Sequence, residues 1–391
     1  MNPAPSWSMS NSQQTPDDDP NFEPPFCANR LCRFHLSAGP EWRKKRNGFY
    51  TRRSDGKRFQ LYLCIECGQG FSTRAFCTDY WLRRRDLPEK IADLVSNGMG
   101  LRQAGRHLHV THATIGRHVA RLGRHCMLFH LERTEGFKID ERVVVDGFES
   151  FEYSQYFPFH LNVAAGQRSW FLYDFTDSPL RRKGRMSPEQ KRRREEQERT
   201  LGRPDPKAIE KAMAELIRSL CRHVPVGGRL HLESDEHPAY PRALKRLRQD
   251  EECPPECEIV HSVTPSILAR TFRNPLFAVN LTDLLLRHSH ANHHREALAF
   301  SKRRMDAISR ASLFQVWRNF IKRRRENGDE QTAAMLLGLA DARLGWPEVL
   351  RLRLFPDRQT LEEWRLTYYR HRVRTQALGD RQRFHDLKRA Y

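Results

Sequence analysis

Two aspartates stand where an apolar run gives out. Asp146 closes the run Val143–Val145 and precedes Gly147, and Asp235 follows the alternating segment Leu230–Ser234. A carboxylate at the end of a buried strand is unusual unless a cap, a turn or a function holds it. Carboxylates gathered on one sheet can ligate divalent ions. A pair of such ions activates an attacking oxygen and stabilises a leaving oxygen in phosphodiester chemistry. Mg2+ is the expected ion, because it takes hard oxygen ligands and needs only a few carboxylates besides the substrate phosphate. Asp174, Asp177, Glu233 and Glu236 lie close to the same segment ends and compete for these roles.

A third acid is harder to choose. In NPLFAVNLTDLLLRHSH, helical spacing puts Phe277, Leu281, Leu284 and Leu285 on one stripe. Asn280, Asp283 and Arg287 share another face, so Asp283 can face a site while the leucines anchor the helix. The plainer alternative is an ion pair between Asp283 and Arg287, one turn on. Glu296 is the rival third acid.

Cys27 and Cys32 form a C-x4-C pair, and Cys64 and Cys67 a C-x2-C pair followed by Gly68. Four thiolates so spaced can close a tetrahedral structural zinc site on a domain with little core. Gly68 permits the tight turn that the second pair needs. His35 and Cys77 are substitute ligands, whereas Cys253 and Cys257, flanking two prolines, are incidental. The alternative is a set of buried thiols.

Residues 86–126 divide into three helices, which read as a helix-turn-helix. Ile91, Leu94 and Val95 lie on the first, and Leu101, Ala104 and Leu108 on one face of the second. Thr111 is placed to cap the third, over about 112–124, with Ile115, Val119 and Leu122 inward. Thr114, Arg117, His118 and Arg121 are expected on its outer face, which would enter a major groove of DNA. A buried helical hairpin would explain the apolar faces but not that outer set.

Lys plus Arg number 68 against 48 Asp plus Glu, a formal charge of +20. Such an excess points to a polyanionic partner, and gives affinity without sequence choice. No apolar run approaches the roughly 20 residues of a membrane span. The polar, acidic start carries no signal-peptide core, so the expected location is the cytoplasm.

These residues need a frame. Residues 1–24 read as a disordered leader, 25–80 as a zinc ribbon, and 131–138 as a connector. From 140 to 325 the order is three strands, a helix, a strand, a helix, a strand and then helices, with a charged insertion at 181–206. That is a multidomain α/β layout in which a meander feeds a mixed sheet. It is compatible with a ribonuclease-H-like core. Residues 326–391 read as a basic helical tail.

The chain resembles the bacterial insertion-sequence transposases that carry an N-terminal zinc ribbon, a helix-turn-helix and a DDE catalytic domain. The likeness rests on the order of the cysteine pairs and the helix-turn-helix, on DGFES and SDEHPAY, and on LLLRHSHANHHREALAFSKR, over roughly residues 27–322. It implies a transposase that binds terminal inverted repeats in double-stranded DNA, cleaves a strand and transfers it. Asp146 and Asp235 match the first two catalytic acids, ligands of two Mg2+ ions. The third, a Glu in that family, falls on Asn280, and Asp283 one turn on is the replacement. Arg287, Arg295, Lys302 and Arg303 would then meet DNA phosphates. Acting on two ends implies a homo-oligomer, and the bacterial nucleoid is the expected location. The competing reading is a catalytically inactive DNA-binding regulator derived from a transposase.

Overall fold

A computed structural model describes residues 15–249, 257–294, 298–328 and 330–382. The N-terminal part is a short helix α1 (Arg33–Leu36) and an antiparallel sheet in the order β1 (Lys44–Thr51), β2 (Arg58–Cys64), β3 (Gly70–Ser72). With its four cysteines, this unit fits a zinc ribbon. Part of the expected leader belongs to it. Asp17 pairs with Arg74, Asp18 with Lys57, and the Tyr62 hydroxyl donates to the Phe22 carbonyl at 2.9 Å. The polar composition of residues 15–24 hid two carboxylates that have buried or basic partners waiting on the sheet.

Three helices follow: α2 (Leu87–Ser96), α3 (Leu101–His107) and α4 (His112–Thr134). Thr111 caps α4, its hydroxyl accepting from Thr114 N at 3.2 Å. The helix runs ten residues past its expected end at 124, into the first half of the expected connector. From Leu122 to His130 every residue is buried, so no polar stripe marks that half as helical. Ile91, Ile115, Val119 and Leu122 share one core with Val143, Val145, Leu230 and Leu232 of the main sheet. The three helices are therefore packed into the body of the protein rather than set apart.

The main sheet contains β4 (Val143–Phe151), β5 (Pro158–Gly166), β6 (Leu172–Pro179), β7 (Arg229–Ser234) and β8 (Glu258–Val263), in the spatial order β6-β5-β4-β7-β8. The first three form an antiparallel meander, while β7 lies parallel to β4 and β8 parallel to β7. Between β6 and β7 come α5 (Pro188–Leu201), which buries no residue, and α6 (Ala208–Cys221); α7 (Ala239–Gln249) links β7 to β8. Period-two alternation splits the strands between two layers. Val143 and Val145 pack with α6 and α7. Val144 and Phe148 pack with α8 (Phe277–Ser289) and α9 (Arg304–Val316).

The expected C-terminal tail is a strap of short helices on the body: α10 (Ala333–Leu336), α11 (Trp346–Val349) and α12 (Glu363–Tyr369). Trp346, Val349, Phe355, Tyr368 and Tyr369 are buried, so these apolar residues override the basic composition around them. Phe355 packs edge-on against Phe26 and His35, joining strap to ribbon. Among the described residues, no helix is long and apolar enough to cross a membrane.

Candidate functional site

The parallel pairing of β4 and β7 brings two of the chosen acids together. Val144 stands opposite Glu233, and two residues further along each strand come Asp146 and Asp235. In parallel strands, partners point to the same face. Asp235 lies just past β7, where its carboxylate accepts His237 N at 2.9 Å and turns the chain into α7. Asp146 Oδ1 accepts Gly147 N at 2.7 Å and the Tyr240 hydroxyl at 3.2 Å. Burial pushes the Asp146 carboxyl up to about 6, and the Asp235 charge adds to the push.

Asp283 comes to this place from the other layer. Burial first, and then the charge of Asp146, push its carboxyl up to about 8 against the opposing pull of Arg287 and Arg270. Its Oδ1 is buried with no hydrogen-bond donor. Tyr240 feels the charges of Asp146, Asp235 and Asp283 together, which with burial hold its hydroxyl far above its ordinary value. The three acids thus act on one tyrosine without closing on one another. Among the described residues, only two sets of three or more Asp, Glu, His or Cys bring their ligand atoms within 4.8 Å of one another, and this trio is not one of them.

The oxygen chemistry of these donors suits a divalent ion, although the three carboxylates are not drawn to one point. Asp283 Oδ1 is buried with nothing to satisfy it, Asp146 Oδ2 receives no hydrogen bond from the described residues, and the crowded negative charge is relieved by a cation. The face that buries α8 differs from the stripe read from sequence. Ala278, Val279, Thr282, Leu286 and Ser289 are buried, while Leu284 is 63% exposed. The Asp283 carboxylate is nonetheless buried. Glu296 and Arg295 lie outside the described residues.

The rival acids are consumed by structural partners. Asp174 is locked by Arg365 at 2.7 Å and Ser219 at 2.6 Å, and Asp177 by Arg304 at 2.9 Å and the Tyr368 hydroxyl. Glu233 accepts from Arg142 and Thr264, and Glu236 from Ser266.

The four cysteines form a second centre. Cys27 and Cys67 sulfurs are 3.7 Å apart, and those of Cys32 and Cys64 are 3.9 Å apart. Thiolates about 2.3 Å from a tetrahedral ion lie about 3.8 Å from each other, whereas a disulfide needs about 2 Å. The set can therefore hold a metal ion. Burial works against the Cys64 thiolate, but the Cys67 N–H and the Trp42 ring N–H, 3.3 Å away, bring the thiol down to about 7. Gly68 takes its turn at φ +67°. His35 is no ligand here; its Nδ1 lies 2.7 Å from the Cys27 carbonyl. Cys77 belongs to the other close set, with Asp17 and Asp79. Arg74 pairs with both of those carboxylates, so an ion there would have to displace a buried guanidinium.

The expected groove-facing residues divide. Arg117 is exposed and Thr114 half-buried at the start of α4. His118 and Arg121 are corrected by the structure. His118 is buried against Thr78, Pro88 and Leu350, and burial pushes its ring down to about 4, so it carries no charge for a phosphate. Arg121 donates to the carbonyls of Thr78 and Tyr80 at 3.0 and 2.6 Å. Both turn inward because the segment after the ribbon covers this side of α4. Arg102, Arg106 and His107 of α3 and His112 and Arg117 of α4 are exposed. Lys302 is exposed and close enough to Arg102 for the two charges to repel, Arg303 is half-buried, and the Arg287 guanidinium stacks 4.5 Å from the Phe148 ring.

Comparison with models of known protein families finds no match, and comparison with curated proteins finds none. Sequence reading missed Tyr240 and Arg270. Tyr240 lay in view in SDEHPAY, five residues after Asp235. Arg270 sits in a loop with no periodic signal and gains its place only because β8 and α8 flank the acids.

Proposed function

We propose that the chain is a DNA transposase that binds the ends of its element and cleaves and joins DNA at a divalent-metal site formed by Asp146, Asp235 and Asp283. One observation carries this reading. Asp146 within β4 and Asp235 just past β7 belong to adjacent parallel strands, Asp283 on α8 is near enough to feel the charge of Asp146, and its buried carboxylate oxygen has no donor. The meander followed by two parallel crossovers is the layout expected of a ribonuclease-H-like core, and it supports the resemblance. The cysteine spacing suits structural zinc.

Two Mg2+ ions held there would supply Lewis-acid activation of water and stabilisation of the leaving oxygen. Asp146 and Asp235 would grip from the sheet and Asp283 from α8. Arg270 and Arg287 balance negative charge beside the acids, where a scissile phosphate would add more. Arg102, Arg106 and Arg117 would carry DNA to this face, since α3 and α4 share a core with the strand that bears Asp146. Joining two element ends calls for at least two copies of the chain.

The test is strand cleavage and transfer with Mg2+ on a matching element end, comparing wild type with Asp146→Ala and Asp235→Ala. Loss of joining with retained end binding in both variants is expected. Equal joining by all three proteins overturns the mechanism. End binding without joining by the wild type favours a DNA-binding regulator. That second reading draws on Asn280, which stands where the transposases that the chain resembles would carry their third acid.

A further inference from the structure

We infer that Tyr240 restricts Asp146 to ligation through a single oxygen, and so sets the preference of the acid site for Mg2+ over Ca2+. The inference rests on the reading of Asp146, Asp235 and Asp283 as a divalent-metal site. Asp146 Oδ1 already accepts two donors, Gly147 N at 2.7 Å and the Tyr240 hydroxyl at 3.2 Å. Its Oδ2 accepts none among the described residues. An ion is therefore offered one oxygen, which matches the small octahedral ion. Ca2+ takes six to eight oxygens at longer range and gains from a carboxylate that can grip with both.

The brace is built into the chain between the first two acids. Asp235 accepts His237 N at 2.9 Å, and the His237 carbonyl accepts Tyr240 N at 3.2 Å. The turn that begins α7 thereby aims the tyrosine back at β4. The side chain is only 2% exposed and packs in the core with Ala243 and Leu247, so it holds its aim without solvent competition. The His160 ring occupies the space beside Gly147. A Cβ there would lie 1.8 Å from the His160 ring, so β4 has no room for a side chain beside the acid. Tyr240 acts through Asp146 and is a positioning residue.

The experiment is thermal melting of the full-length, zinc-loaded chain titrated with MgCl2 or CaCl2, for wild type, Asp146→Ala and Tyr240→Phe. The wild type should gain stability with lower Mg2+ than Ca2+, and Asp146→Ala should lose most of the response to both. Tyr240→Phe keeps the ring and removes the donor. Its half-saturating Ca2+ concentration should fall relative to that for Mg2+ by about ten-fold, the effect of one hydrogen bond to a charged group. An unchanged ratio in the folded variant overturns the inference while leaving the metal site intact. If Tyr240→Phe loses its melting transition, Tyr240→Met fills the same space and carries the same comparison. A wild type that responds to neither ion overturns both the metal-site reading and this one.

Discussion

Replacing Asp283 by Asn should stabilise the protein in the absence of added divalent ions and remove part of its response to them. Asp283 is pushed from its ordinary 3.8 up to about 8, first by burial and then by the charge of Asp146. A carboxyl with a raised folded value binds its proton more tightly in the folded state. Its contribution to stability therefore falls as pH rises from about 4 to about 8. About three units separate 3.8 from pH 7, at roughly 1.4 kcal/mol each, so the ionisable Asp283 costs the metal-free fold on the order of 4 kcal/mol at neutral pH. Asparagine has the shape of the protonated acid and carries no such cost. The raw pH profile will not isolate the effect. Burial also depresses His125, His130 and His160 to about 4, and groups of that kind make stability rise with pH over the same acidic range. The quantity to measure is the difference between Asp283→Asn and wild type in urea unfolding, at pH 5, 6, 7 and 8, with zinc retained and Mg2+ absent. That difference should favour the variant and grow with each step. Adding Mg2+ should then stabilise the wild type more than the variant. Equal stability of the two proteins from pH 5 to pH 8 would refute the claim that Asp283 is held buried against its charge.

Four further outcomes are expected. Cys64→Ser should drop the zinc content from about one ion per chain to near none by colorimetric assay, because a structural site needs all four ligands. Arg365→Met leaves Asp174 buried without its counter-charge and should cost about 3–5 kcal/mol in urea unfolding; pairing it with Asp174→Asn should recover most of the loss. Gly147→Ala drives a Cβ into the His160 ring and should cost about 1–3 kcal/mol, relieved in the double variant with His160→Ala. Arg117→Ala should weaken binding to every DNA sequence alike and lower the salt slope by about one, as measured by fluorescence anisotropy.

Much of the frame is legible in the chain. The runs that become β4, β5, β6 and β7 are apolar or alternating and are bounded by Gly, Pro and Asp, so local preference and burial agree. The cysteine spacing survives folding because each pair sits within one short turn. Asp146 and Asp235 are legible for a related reason: an acid that follows a buried apolar run needs an explanation wherever the run lies, although Asp146 stands inside β4, opposite Val163, rather than at its end.

What failed to show was whatever depended on a distant neighbour. The second half of α4 gives no periodic signal because α9, the sheet and the strap cover it from every side, including His125 and His130. The leucine stripe on α8 misled because the sheet there admits Ala278, Thr282 and Ser289, and leaves Leu284 in solvent. His118 and Arg121 keep an outward helical phase, yet a segment from the ribbon lies across them.

The acids divide along the same line. By itself the sequence determined that carboxylates follow two apolar segments, because that is a matter of order along the chain; that the two segments pair was decided by the sheet. Which carboxylates stay available was decided only in three dimensions. Asp174 and Asp177 are neutralised by Arg365 and Arg304 from far along the chain, while Asp283 is brought beside Asp146 and left with a buried oxygen that nothing in the described chain satisfies. Charge pairing acts through space at a few Å, and linear spacing carries no record of it.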